Sequence, residues 1–223
     1  MKIVIRMLNS YPNLKYCYDC FLMIKYVYNS IKQIIVFIKM KLLLCYRYLV
    51  QEKECYMNKN VFRNLSYGVY VVSTMDDGRA TGCTANSAMQ ITSDPATVAI
   101  SINHDNYTNK CIKECGKFAV NIIAEDSDSM LIGKFGFFSG KDTNKFQDVD
   151  FKIVEEMPVL NDTCGYVICN VIDTMETSSH TVFLGEVIEG EIQGDGRTPM
   201  TYAYYHNVIK GKSPKNAPTY IEE

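Results

Sequence analysis

The chain changes character at Met57, and one hydrophobic core cannot serve both sides of the break. Residues 1–56 hold nine Lys and Arg against three acidic residues, a net of +6, and eight of the sixteen tyrosines. From Met57 onward fourteen basic residues stand against twenty-two acidic ones, a net of −8. Stretches of opposite charge and different vocabulary read as separate units.

The earlier stretch is apolar enough to invite a membrane reading. A spanning helix needs about 20 consecutive apolar residues, whereas no uncharged run between Lys25 and Arg47 exceeds six. A signal peptide is disfavoured because no small-residue cleavage site follows the apolar part. Two readings are left: a basic amphipathic surface helix, or an AT-rich upstream region translated ahead of a natural start at Met57. The dominance of Lys, Ile, Tyr, Asn, Phe and Leu, with almost no turn residues, favours the second. The expected organisation is therefore a leader over 1–56, one domain over 57–210 and a linker-like tail over 211–223, where GKSPKNAPTYIEE has two prolines and no apolar periodicity.

Within the domain, strand signals predominate. Tyr67 to Met75 is β-branched and aromatic and runs into Asp76-Asp77-Gly78, residues that tolerate positive φ in a hairpin. A second strand is expected from Ala80 to Met89, and a third from Thr97 to Ile102. Tyr107 to Cys115 has helical spacing and is followed by Gly116 at the expected C-cap. Phe118 to Ile123 reads as strand, and Ser127 to Phe135 as a short helix capped by Ser127 or Asp126. Gly165 to Thr174 and Thr181 to Ile192 read as long antiparallel partners, and Met200 to Tyr205 as a last strand. No strand-helix alternation appears, so the expectation is a mainly β fold with short helices, an antiparallel barrel and not a nucleotide-binding parallel sheet.

Several function classes drop out. The acidic balance and the lack of any Lys/Arg cluster after Met57 disfavour nucleic-acid binding. The five cysteines of the domain are odd in number and scattered, which fits reduced thiols in a cytoplasmic protein and not a disulfide framework. Cys17 and Cys20 lack a second matched pair, and Cys111 and Cys115 lack His or Cys companions, so no metal site is expected. Neither a P-loop nor a G-x-G-x-x-G is present.

The segment Thr81 to Thr92, TGCTANSAMQIT, is the most informative. Its small residues let a ligand approach the backbone, and Thr84, Asn86 and Ser87 offer hydroxyl and amide groups. Taken alone it reads equally well as a Thr/Ser-rich edge strand. Further along, Thr108 and Asn109 open a helix whose first amides would favour a phosphate, although an ordinary N-cap explains them too. His180, after the turn residues Ser178 and Ser179, stands at the mouth of a strand, where its charge can be tuned near neutral pH.

Seven landmarks in order give these residues a context: TANS at Thr84 to Ser87, Asp94-Pro95, SINHDNYTNKCI at Ser101 to Ile112, FAVNI at Phe118 to Ile122, FGFFSGKDTNKF at Phe135 to Phe146, HTVFLGEV at His180 to Val187, and PMTYAYYHNVIKG at Pro199 to Gly211. Together they resemble the flavin reductase-like proteins with an FMN-binding split barrel, above all the N-terminal flavoprotein part of high-molecular-weight rubredoxins, with flavoredoxin a cousin. The resemblance covers Met57 to Pro218. It implies a homodimeric split β-barrel holding FMN near the subunit interface. It implies that Thr84, Ala85, Asn86 and Ser87 meet the flavin, that Ser101, Asn103 and Thr108 meet its ribityl and phosphate groups with Lys110 adding charge, and that His180 lines the reaction face. NADH or NADPH would be the electron donor, and a rubredoxin or flavodiiron protein the acceptor. A flavoredoxin-like carrier reduced by a protein is the alternative. In those relatives a segment like KSPKNAPTY leads into a rubredoxin, whereas this sequence stops at Glu223; a separate partner and a truncated gene both fit.

Overall fold

The computed structural model describes residues 18–51, 58–214 and 217. The chain divides into two compact units, Met1–Met57 and Asn58–Glu223. Of the first, the described part is one helix, α1 (Tyr18–Gln51), which places Lys25, Lys32 and Lys39 at seven-residue spacing and leaves almost every described side chain exposed. No described helix is long and apolar enough to cross a membrane.

The second unit opens with a 3-10 turn, Lys59–Asn64, and continues through β1 (Tyr70–Asp76), β2 (Arg79–Ala85), β3 (Ala88–Ser93), β4 (Ala96–Asn103), α2 (Tyr107–Cys115), β5 (Lys117–Ile122), α3 (Ser129–Phe137), β6 (Phe151–Val154), β7 (Met157–Leu160), β8 (Gly165–Glu176), β9 (His180–Ile192) and α4 (Tyr202–Asn207). Seven strands form one antiparallel sheet in the order β2-β1-β5-β8-β9-β4-β3, and β6 pairs with β7. The two edge strands are consecutive in sequence, joined only by Asn86 and Ser87. Laid flat, seven strands would separate those edges by about 29 Å, while a two-residue link reaches about 10 Å. The sheet therefore has to roll until β2 and β3 approach, leaving a barrel split along one seam.

The barrel is filled by Val72, Ile100, Ile102, Phe118, Val120, Cys169 and Phe183, joined by Ile112 from α2. Phe118 is a member of this cluster and is fully buried. Gly185 on β9 lies across its ring, where a β-carbon would come within 2.7 Å of the Phe118 ring and 2.6 Å of the Cys169 side chain. The β9 strand needs a glycine there to cross the core. Helix α2 begins with the Asn106 side chain accepting from the Thr108 amide at 3.2 Å and ends at Gly116, with φ of +72°. A second cluster, Val69, Val71, Ile123, Leu131, Ile132, Phe135, Phe146, Leu160, Met200 and Tyr205, packs α3 and α4 on the barrel's outside.

Several expected elements change. The strand expected over Ala80 to Met89 is two strands on opposite edges, because the chain turns the barrel's seam at Asn86-Ser87. The last expected strand is instead α4: Val69 and Met200 bond their backbones at 3.0 Å, then the Thr201 hydroxyl accepts from the Tyr204 amide and starts a helix. The cap of α3 is Asp128, whose carboxylate accepts from the Met130 amide at 2.9 Å. The two expected caps are engaged elsewhere, Asp126 with Arg197 at 2.9 Å and Ser127 with the Ala124 amide and the Asp162 carbonyl. The β6–β7 hairpin was not expected at all. The tail is not simply a linker, since Gly211 to Pro214 fold back onto α4.

Candidate functional site

At the seam of the barrel an open cleft of about 730 Å³, counting the solvent in its mouth, is framed by the end of β2 (Cys83, Thr84, Ala85), the Asn86 corner, the end of β4 (Ser101, Ile102, Asn103), α3 and α4. Each wall has a local cause. The open edge of β2 is covered by α3 through the Thr84 hydroxyl, which donates to the Ile132 carbonyl at 3.0 Å. Lys145, 2% exposed, donates to the carbonyls of Gly82 at 2.8 Å and Phe135 at 2.9 Å, tying strand and helix together. Burial holds its pKa below the usual lysine value. The cleft-lining Cys83 is buried, which pushes its thiol pKa up and keeps it a neutral, unreactive thiol.

Of the residues singled out from sequence, Thr84, Ala85, Asn86, Ser101, Asn103 and His180 line the cleft together. Three others do not. Ser87 stands just behind, donating to the Asn86 side-chain oxygen at 3.0 Å and accepting from the Ser101 amide at 3.0 Å, so it orients the wall. Thr108 is buried inside α2's first turn, its hydroxyl without a hydrogen-bond partner among the described residues. Lys110 lies on the outer face of α2, 3.5 Å from Glu114, because a helix that buries Thr108, Cys111 and Ile112 must turn position 110 to solvent.

His180 is held tightly. Asn103 pairs with it across β4 and β9, the His180 amide donates to the Thr177 hydroxyl at 3.0 Å, and Nδ1 sits 2.8 Å from the Ser179 hydroxyl. Its Nε2 is buried and has no partner among the described residues. Burial first, then the nearby His104, holds its pKa below the ordinary histidine value. Glu176 steadies the same turn: it meets Lys113 at 2.7 Å, His104 at 2.9 Å and the Thr181 hydroxyl at 3.0 Å, and Lys113 is the main reason its pKa is lowered.

The sequence reading missed the cleft's other side, formed by Gly136 and Phe137 of α3, Tyr202 and Tyr205 of α4, and Lys212, Ser213, Pro214 and Ala217. The available signal was the pair of tyrosines three apart after Thr201, which on a helix share a face. No group of three or more His, Cys, Asp or Glu among the described residues is placed to hold a metal ion.

The profile of the flavin reductase like domain matches residues 62–211. The chain belongs to that family. It is 38% identical over 166 residues to the high molecular weight rubredoxin of Moorella thermoacetica, covering 74% of this chain and 72% of that protein. It is 34% identical over 168 residues to the ferric-chelate reductase (NAD(P)H) of Archaeoglobus fulgidus, covering 74% of this chain and 99% of that one. Among solved structures, the Streptomyces globisporus NADH:FAD oxidoreductase in complex with NAD and FAD fragments superposes with a TM-score of 0.58 at 26% identity, over 64% of this chain and 84% of the other. The mainly antiparallel split-barrel fold is thus the family's own.

Proposed function

We propose that the cleft binds FMN and that the protein is an oxidoreductase taking electrons from NADH or NADPH. The observation that carries this is the buried Nε2 of His180, without a partner among the described residues, in a cleft whose other polar walls include Thr84, Asn86, Ser101 and Asn103. A buried nitrogen left without a partner is costly, and a ligand edge at that position relieves it. The site also fits the group by the small residues Ala85 and Gly136, which let a flat ring approach the backbone. When bound, flavin supplies a ring that accepts a hydride and passes electrons onward. The chain does the rest. Asn86, steadied by Ser87, and Ser101 and Asn103 offer amide and hydroxyl groups to its polar edge. Tyr202, Tyr205 and Phe137 exclude water, and His180 orients the nicotinamide or bonds the ring.

Two further parts of the reading concern partners. Exposed apolar side chains recur on the sheet, Met89 and Ile91 on β3, Ile172 and Met175 on β8 and Ile188 on β9, which supports a homodimer formed through that sheet. The likeness to a rubredoxin-containing protein supports a rubredoxin or a flavodiiron protein as acceptor, in a cytoplasmic setting where thiols such as Cys115 stay reduced.

Anaerobic mixing of the purified yellow protein with NADH or NADPH is the direct test. Rapid bleaching of the flavin is the expected result. No bleaching except with a reducing protein would replace this reading by an electron carrier of the flavoredoxin kind.

A further inference from the structure

Among the described residues that line the cleft, Lys212 is the one lysine or arginine and none carries a carboxylate. No described acidic group forms an ion pair with the Lys212 ammonium. A solvated lysine on a loose tail would be unremarked, but this one sits on backbone that is fixed in place. The Gly211 amide donates to the Tyr205 carbonyl at 2.9 Å, and the Tyr205 hydroxyl donates to the Lys212 carbonyl at 3.0 Å. The next residue, Ser213, bonds the Tyr202 hydroxyl and lies 3.3 Å from His206 Nε2. Gly211 rests on the Tyr205 ring so closely that a β-carbon would overlap it. Two of the residues that hold the segment, Tyr202 and Tyr205, are themselves walls of the cleft.

We propose that Gly211 to Pro214 is a built part of the binding site, and that Lys212 is its recognition group for a phosphate ester. This rests on the flavin reading of the cleft. An ammonium is a compact point charge suited to a phosphate, and a lysine beside a cleft with no carboxylate among its described lining residues concentrates anions there. Fixing the backbone beforehand lowers the ordering cost of using so flexible a side chain. The phosphate is either that of FMN or one carried by the nicotinamide dinucleotide.

The test compares the full chain with Lys212→Gln, using Lys141→Gln, an exposed lysine outside the cleft, as the charge control. FMN and riboflavin affinities are read by flavin fluorescence, and KM for NADH and NADPH at saturating flavin. The expected result is a roughly tenfold loss, the scale of one charge-assisted bond, for a phosphate-bearing ligand with riboflavin unchanged. Loss confined to FMN identifies the flavin phosphate, and a raised KM alone identifies the dinucleotide. Unchanged binding throughout, or equal weakening of FMN and riboflavin, overturns the proposal. Gly211→Ala keeps the charge but displaces it and should reproduce the selective loss; a folded G211A protein that binds like the parent overturns the positional argument. A protein that takes up neither FMN nor riboflavin in any form sinks the flavin reading itself, an outcome distinct from the others.

Discussion

The backbone of His180 is fixed by its pairing with Asn103 and by Thr177, its ring is held at Nδ1 by Ser179, and only Nε2 is left for a ligand. With its pKa lowered, the ring is neutral at and above the ordinary histidine value of about 6.5. As pH falls below that value, the unfolded chain takes up the proton before the folded one does, so this residue's destabilising contribution appears only there. Flavin reduction should accordingly be flat from about pH 6.5 upward and decline below it. His180→Asn should remove that acid limb in stopped-flow traces while flavin stays bound; a retained limb would exclude His180 as its source. Lys145 lies deeper and donates to the carbonyls of Gly82 and Phe135. Lys145→Met keeps the volume but loses both bonds. Chemical denaturation should show a loss of about 2–3 kcal/mol, at the upper range for charged hydrogen bonds. A change under 0.5 kcal/mol would show that solvent replaces the lysine freely.

At the scale of elements, β9 carries the same lesson in its interior. Gly185→Ala places a methyl group against Phe118 and Cys169, and overpacking of this kind costs about 1–3 kcal/mol, measurable as a lower Tm with the fold retained. Most of the sheet was legible because its strands have β-branched runs bounded by turn residues, and the TANS segment stood out because small polar residues cluster there, although it was read as part of one continuous strand and not as a corner. The failures also have causes. The β6–β7 hairpin turns on Glu155 and Glu156 with φ of +45° and +66°, where glycine or asparagine would have signalled a turn. Helix α4 is rich in tyrosine, a strand-favouring residue, yet burial of Tyr205 and the Thr201 cap decide for helix. Lys212 was read as part of a linker because the hydrogen bonds that pin it come from Tyr205, Tyr202 and His206, and nothing local announces them.

For the whole molecule, the charge reversal at Met57 coincides with the boundary between the two compact units and precedes the family match at residue 62. A protein beginning at Met57 is expected to keep the flavin stoichiometry of the full chain and, in light scattering, its oligomeric state. Loss of either would show that α1 belongs to the working protein. The roll of the sheet has its own consequence, in time and not in space. Strand β4 finds its neighbour on β9, with Asn103 opposite His180 across 76 residues of intervening chain. During synthesis, β4 therefore waits with that edge open until the last long strand has left the ribosome, and non-local pairing of this kind is slow. Nascent chains arrested before His180 should take up no flavin, whereas chains arrested beyond the C-terminal segment should, so the coloured cofactor would serve as a clock for the final step of folding.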